Sequence, residues 1–422
     1  MPKELIWTLP FVLLLLSIAT LPLLHKRWWE KNYPRISIGL GLVVVLYYLF
    51  GLKNPSSLLH TGMEYVSFIS LIGSLFIVAG GIHITVKGEA TPWVNTLFLF
   101  IGAVLSNFLG TTGASMVLIR PWIRMNKYRL TAFHIVFFIF IVSNVGGALT
   151  PIGDPPLFLG YLKGVPFFWV IQNVWLIWIL AVGILLAVFF ILDGRNYKRA
   201  PVEIRLKETA HEEWRFEGLR NIFFLLMILG AVFINHPPFL REAIMIAAAV
   251  LSYKTTPKKV HEENDFNFAP IKEVAILFLG IFATMIPALE WLEHNAGKIG
   301  IHTPGQFFWS CGTLSAALDN APTYLNFLSA AIGLLAHSAS SSENGQVAFL
   351  LSHHPVYIRS ISIASVFFGA MTYIGNGPNF LVKSIAEHFK AKTPAFFGYL
   401  VSYSLPILLP IFALVWFLFF RG

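Results

Sequence analysis

The sequence predicts an all-α polytopic membrane protein: an inverted repeat of two halves, with about ten transmembrane helices, two re-entrant hairpins and two broken helices. Three observations predict it. The composition is extremely apolar, the basic residues fall on one side, and a thirteen-residue motif occurs twice.

Of the 422 residues, 56% are hydrophobic and 12% charged, where soluble domains carry roughly a quarter charged. Apolar runs suited to crossing about 30 Å of hydrocarbon recur at 5–24, 36–52, 65–85, 165–192, 222–234, 243–253, 274–292 and 394–420. The first lacks a small-x-small cleavage site and leads into HKRWWEK, so it reads as a retained crossing. Cys311 stands alone, which excludes a disulfide framework and a Cys-based metal site.

The net charge of +9 suggests a nucleic acid until the basic residues are placed. With 25–35 in the cytoplasm, and with 94–124 and 304–337 as segments that dip in and return, one side collects most of them. These include Lys26, Arg27, Lys31, Arg35, Lys87, Arg120, Arg124, Lys127 and Arg129, the cluster from Arg195 to Arg215, then Lys254, Lys258, Lys259, Lys272, Lys390 and Lys392. The other side holds only Lys3, Lys53, Lys163, Arg241, Lys298 and Arg421. The positive-inside rule is thereby obeyed, no nucleic-acid partner is required, and both termini are expected outside.

GALTPIGDPPLFL (147–159) and GAMTYIGNGPNFL (369–381) agree at eight of thirteen positions, where ordinary residue frequencies would give about one. Five crossings per half reverse the second copy relative to the first. A weaker pair lies upstream, AVLSNFLGTTGAS (103–115) and AALDNAPTYLNF (316–327), with Asn107 answering Asn320. The first repeat is 1–210, with a hairpin at 94–124 and a broken helix at 130–162. The second is 211–422, with a hairpin at 304–337 and a broken helix at 357–389. The charged linker RNYKRAPVEIRLKETAHEEWRFEG joins them.

Pro155 and Pro156 stop a helix that rises from Phe133, while Asp154 as N-cap and Pro155 as first residue start another. Asn376, Gly377 and Pro378 do the same in the second copy. Peptide groups freed in hydrocarbon cost several kcal/mol each unless something polar satisfies them. An ion or polar substrate at the midplane is the expected partner, with the tips Ser106-Asn107 and Asp319-Asn320 meeting the breaks.

Plainer readings stand beside this one. Asp154 and Asp319 also suit helix capping, and Ser143, Asn144, Thr150 and Thr372 can bond their own backbone. Lys383 can snorkel or reach back to the break. Trp28, Trp29, Trp169, Trp175 and Trp178 read as lipid-facing and interfacial. The thirteen His are scattered, so a metal site has little support, and no G-x-S-x-G elbow or phosphate loop supports an enzyme.

Through SNFLGTTGAS, SNVGGALTPIGDPP, DNAPTYLNF and GAMTYIGNGPNFL the chain resembles the ion transporter superfamily: citrate-transporter-like proteins, NhaD-type sodium/proton antiporters, arsenite permeases and sodium-coupled dicarboxylate carriers. The resemblance implies an elevator-like transporter in a prokaryotic plasma membrane, often a homodimer in the lipid bilayer. It also implies two mirrored cation and substrate sites. Ser106, Asn107, Thr111, Thr112, Ser143, Asn144, Thr150, Gly153 and Asp154 would form one; Asp319, Asn320, Thr323, Thr372, Gly375, Asn376 and Asn379 the other. The dicarboxylate branch carries Ser-Asn-Thr at both tips, whereas this chain reads Ser106-Asn107-Phe108 and Asp319-Asn320-Ala321.

Two midplane acids without an equally deep base suit Na⁺ and titratable coupling by H⁺. Sodium/proton antiport without a cofactor is therefore the leading expectation. Cation-coupled citrate or other organic-anion transport is the alternative, and a membrane enzyme or channel is more remote.

Overall fold

The structure is a computed structural model that describes residues 3–85, 90–199, 215–234, 236–336, 339–340 and 342–421. Lys87, most of the charged linker, the boundary between the two expected repeats and part of the Ser-rich loop near residue 340 lie outside the described residues.

Helix dominates, and its starts follow local chemistry. Pro55, Pro92 and Pro304 each open a helix whose preceding residue, Asn54, Thr91 or Thr303, accepts a backbone N–H from the first turn. Seven described helices are long and apolar enough to cross a membrane. One of them, Pro92–Met125, reverses at Gly110, where φ is 72° and ψ is 156°. Only glycine adopts that conformation without strain. Its arms meet at the base, where the Asn95 Nδ2 donates to Asn126 Oδ1 at 2.8 Å.

The second hairpin pairs Pro304–Ala317 with Asn320–Leu335 and turns at Leu318 and Asp319. Phe307 and Phe327, on opposite arms, stack edge to face at 6.0 Å. The two interrupted spans are Ala132–Ile141 with Pro155–Leu162, and Pro355–Gly369 with Gly377–His388. Together with Phe167–Arg199 and the C-terminal helix they form one packed group.

A second group contains Leu9–Leu24, Lys26–Leu46, Pro55–Gly80, Asn221–Ala231, Leu240–Thr255 and Ala269–Asn295. Buried hydroxyls tie its helices together: Ser37 donates to the Ile276 carbonyl at 2.7 Å, and Tyr48 to Glu290 at 2.7 Å. Pro55–Gly80 packs on the first hairpin and Ala269–Asn295 on the second.

Some expectations need correction. The 65–85 run belongs to a helix long and apolar enough to cross, but with other bounds: it runs Pro55–Gly80, and His83–Thr85 pairs antiparallel with Arg215–Glu217 as a two-stranded ladder. The fold is thus helical apart from this clasp among the described residues. Trp29 and Trp178 are buried rather than lipid-facing, at 3% and 6% exposure, while Trp28 and Trp175 are half exposed. Lys163, expected on the outer side, is buried and pairs with Glu64 at 2.9 Å and with the partly exposed Glu343 at 3.0 Å, and these carboxylates offset the cost of burying its charge.

Candidate functional site

The first break contains Gly146, Gly147, Pro151, Gly153, Pro155 and Pro156. Between Ile141 and Pro155 only a short 3₁₀ turn, Val145–Leu149, is regular. A Cβ on Gly153 would lie 2.0 Å from the Gly147 carbonyl oxygen, and one on Gly375 would lie 2.7 Å from that of Gly369. Each break therefore closes on itself through glycine pairs at matching motif positions.

The freed peptide groups mostly find partners within the protein. Ser106 donates to the Val142 carbonyl at 2.7 Å. Asn107 Nδ2 donates to Gly146 O at 2.7 Å while its Oδ1 accepts Leu149 N–H at 2.9 Å. Thr111 N–H donates to Gly153 O at 2.8 Å. In the second break Asn379 Nδ2 serves Gly369 O and Thr372 O, both at 2.8 Å. The expectation that a solute completes the bare peptide dipoles is revised accordingly, because amide side chains complete most of them.

What they surround is Asp154, which is 1% exposed. It occupies the N-cap position of Pro155–Leu162, yet its side chain does not cap. Oδ1 accepts Thr111 Oγ1 at 2.7 Å and Asn376 Nδ2 at 3.0 Å, and Oδ2 accepts Asn320 Nδ2 at 2.6 Å. Those donors come from the first hairpin, the second break and the second hairpin. Asn376 Nδ2 also faces Ser143 O at 3.1 Å and Asn144 Oδ1 at 3.2 Å, while Asn144 donates to Asn379 Oδ1 at 2.7 Å. The two breaks are thus directly cross-linked.

A carboxylate offers about four acceptor positions, so one on Asp154 Oδ2 is unused. Asn320 Oδ1, on the amide that holds Oδ2, is buried without a hydrogen-bond partner. A cavity of about 30 Å³, lined among others by Thr112, Gly153 and Asp154, adjoins the acid. That space accommodates one water-sized particle.

Other expected residues sit differently. Ser106 and Asn107 lie a turn before the reversal at Gly110, so they are not the tip. Asp319 is at its turn but caps Asn320–Leu335 by accepting Ala321 N–H at 3.0 Å. Thr323 is spent on the Asp319 carbonyl at 2.9 Å, and Ser143 bonds Ser115 at 2.7 Å. Thr150 and Thr372 do not bond their own helices. They donate to Asn107 O and Ala316 O, each at 2.7 Å, and each also accepts an N–H at 3.1 Å, from Gly153 and Gly375 respectively. Lys383 turns away, pairing with Glu387 at 3.2 Å and covering the Tyr373 ring.

Sequence reasoning missed Trp178, whose Nε1–H donates to Gly146 O at 2.9 Å, and Tyr399, whose hydroxyl donates to Ala370 O at 2.8 Å. It also missed a second buried acid. Asp193 accepts from Arg129, from His134 Nε2 at 3.0 Å and from Asn95 at 2.8 Å, locking the base of the first hairpin to Phe167–Arg199. No local motif signals partners this far apart in the chain.

The sequence profile of a family described as "Putative citrate transport" matches residues 2–420. No curated protein matches the chain.

Proposed function

The chain belongs to that citrate-transport family of membrane transporters, and on this premise we propose that it is a secondary active transporter whose coupling cation, Na⁺ or H⁺, binds at Asp154. The carrying observation is the pair formed by Asp154 and Asn320: one oxygen with spare capacity and one with no partner, both buried, and, among the described residues, no Lys or Arg bonded to either. Hard oxygen donors of this kind suit a small cation or a proton. Sodium/proton antiport is the first reading, with Asp319 as the second acid near the exchange path.

Cation-coupled transport of citrate or another organic anion is the second reading, favoured by the family's description. There the cation neutralises Asp154 and the anion draws on neighbouring amides.

The proposal includes an inverted repeat and alternating access by movement of the hairpin group against the other group. Matched bonds support the repeat: Thr150 and Thr372 to hairpin carbonyls, Ser106 to Val142 O at 2.7 Å and Ser315 to Ser365 O at 2.6 Å. The test is purified protein in liposomes, comparing a Na⁺-driven change in a pH gradient with uptake of labelled citrate. Exchange that survives the double change Asp154→Asn, Asp319→Asn refutes the antiport reading. Citrate accumulation without proton–sodium exchange selects the second.

A further inference from the structure

Asp154 and Lys163 stand at opposite ends of one short rod. Pro155–Leu162 is eight residues long, about 12 Å, with Asp154 just before it and Lys163 just after. It is pinned to the second hairpin, where the Tyr324 hydroxyl leaves no room for a Cβ on Gly160. Tyr324 shares a helix with Asn320, which donates to Asp154. The acid, its amide partner and Lys163 therefore sit in one packed group.

Lys163 is 7% exposed and meets two carboxylates of different origin. Glu343, at 3.0 Å, opens Glu343–His353, which packs on Asn320–Leu335 and Pro355–Gly369 within the same group. Glu64, at 2.9 Å, comes from Pro55–Gly80 in the other group and is itself buried. The Tyr161 hydroxyl crosses the same seam, donating to Val232 O at 2.8 Å. Beside them, on the face expected outside, lies a cavity of about 560 Å³ lined by Glu64, Lys163, Ser329 and Glu343 among others; Asp154 does not line it.

An ammonium buried between two groups resists their separation, because parting them strips it of a partner. Glu343 stays with Lys163, however, so release costs one ion pair and leaves the lysine a companion. Glu64 likewise keeps His60, one turn away on its own helix at 3.6 Å.

We infer that Lys163 is the latch between the two helix groups on this face: its pairing with Glu64 holds the cavity shut, and its pairing with Glu343 carries the charge when the latch releases. Because Pro155–Leu162 joins them, release moves Asp154 along with Lys163. This inference rests on the alternating-access part of the proposed function.

The test uses the full chain in lipid nanodiscs with Cys311→Ser, so that Ser329→Cys, a buried position on the cavity wall, provides the only thiol. Glu64→Gln removes the contact between the groups and is expected to quicken maleimide labelling about tenfold, as loss of a charge-assisted contact implies. Glu343→Gln leaves Lys163 dependent on Glu64 alone and is expected to slow labelling. A merely structural cluster would loosen in both variants and quicken both. Labelling that is unchanged or slower in Glu64→Gln, or unchanged or faster in Glu343→Gln, overturns the inference, and Glu343→Gln decides alone should Glu64→Gln fail to fold. Sodium–proton exchange and citrate uptake in liposomes are scored separately. Opposite labelling shifts in a protein that performs neither refute the transport reading alone, and transport accompanied by shifts of the same sign refutes the latch alone.

Discussion

Replacing Asp154 separates its charge from its hydrogen-bonding role. In Asp154→Asn the oxygen keeps Thr111 and Asn376, while the new amide nitrogen meets Asn320 Nδ2 donor to donor where 2.6 Å now separates donor and acceptor. A half-turn of the Asn320 amide repairs this, because its Oδ1 has no partner to lose. Three charge-assisted bonds become neutral at about 1 kcal/mol each, and a desolvation cost of several kcal/mol disappears with the charge. The net change in stability is therefore within about 2 kcal/mol. Asp154→Ala instead strands two buried donors, Thr111 Oγ1 and Asn320 Nδ2, while Asn376 Nδ2 keeps the Ser143 carbonyl and Asn144 Oδ1; at about 1–3 kcal/mol each that is roughly 2–6 kcal/mol in all. Thermal unfolding of detergent-purified protein should place Asp154→Asn within about 5 °C of the parent and Asp154→Ala far lower or unrecoverable. In liposomes Asp154→Asn should lose cation-coupled transport despite its stability. An Asp154→Asn protein that unfolds like Asp154→Ala, or that transports normally with cation dependence, refutes the reasoning.

Two further substitutions probe the frame around the site. Gly110→Ala forces a side chain into φ 72° and brings its Cβ to 3.3 Å from the Ile152 carbonyl, so it should cost about 1–3 kcal/mol, read as a lower unfolding temperature. Asp193→Ala leaves Arg129 and His134 buried without their shared carboxylate and should cost about 3–5 kcal/mol. Its expected outcome is a collapse in the yield of monodisperse protein, and a normal yield would count against the structural role.

The breaks were legible because their cause is local. Proline and glycine at 146–156 and 375–378 interrupt a helix whatever surrounds them. The hairpins were legible as segments but not in register. Sequence matching set Asn107 against Asn320, whereas the bonds to Asp154 set Thr111 against Asn320, and the turns set Gly110 against Asp319. One turn uses a left-handed glycine and the other an extended capped aspartate, so different residues solve the same steric problem and the similarity is lost. The burial of Trp178 and the partners of Asp193 depend on contacts across the chain, and helical periodicity carries no trace of them.

On the proposed reading, the surroundings of two buried aspartates divide a structural role from an exchanging one. Asp193 is met by Arg129 and His134 at the base of a hairpin, and its compensation is built into the chain. Asp154 is held as firmly, but by a hydroxyl and two amides, none of which carries charge. A lysine in place of Asn320 would stabilise the ionised acid permanently and remove any need for a mobile cation. Neutral donors orient the carboxylate and satisfy most of its lone pairs, yet leave its charge to be balanced from outside. In low-dielectric surroundings that imbalance is a strong driving force for cation or proton uptake. Because the three donors come from three different elements, any motion of one hairpin against the breaks changes how well the charge is solvated. On the proposed reading, this is how occupancy at Asp154 and the position of the hairpins become one equilibrium, in which a cation shifts the population only as far as it prefers one arrangement of Thr111, Asn320 and Asn376 over the other.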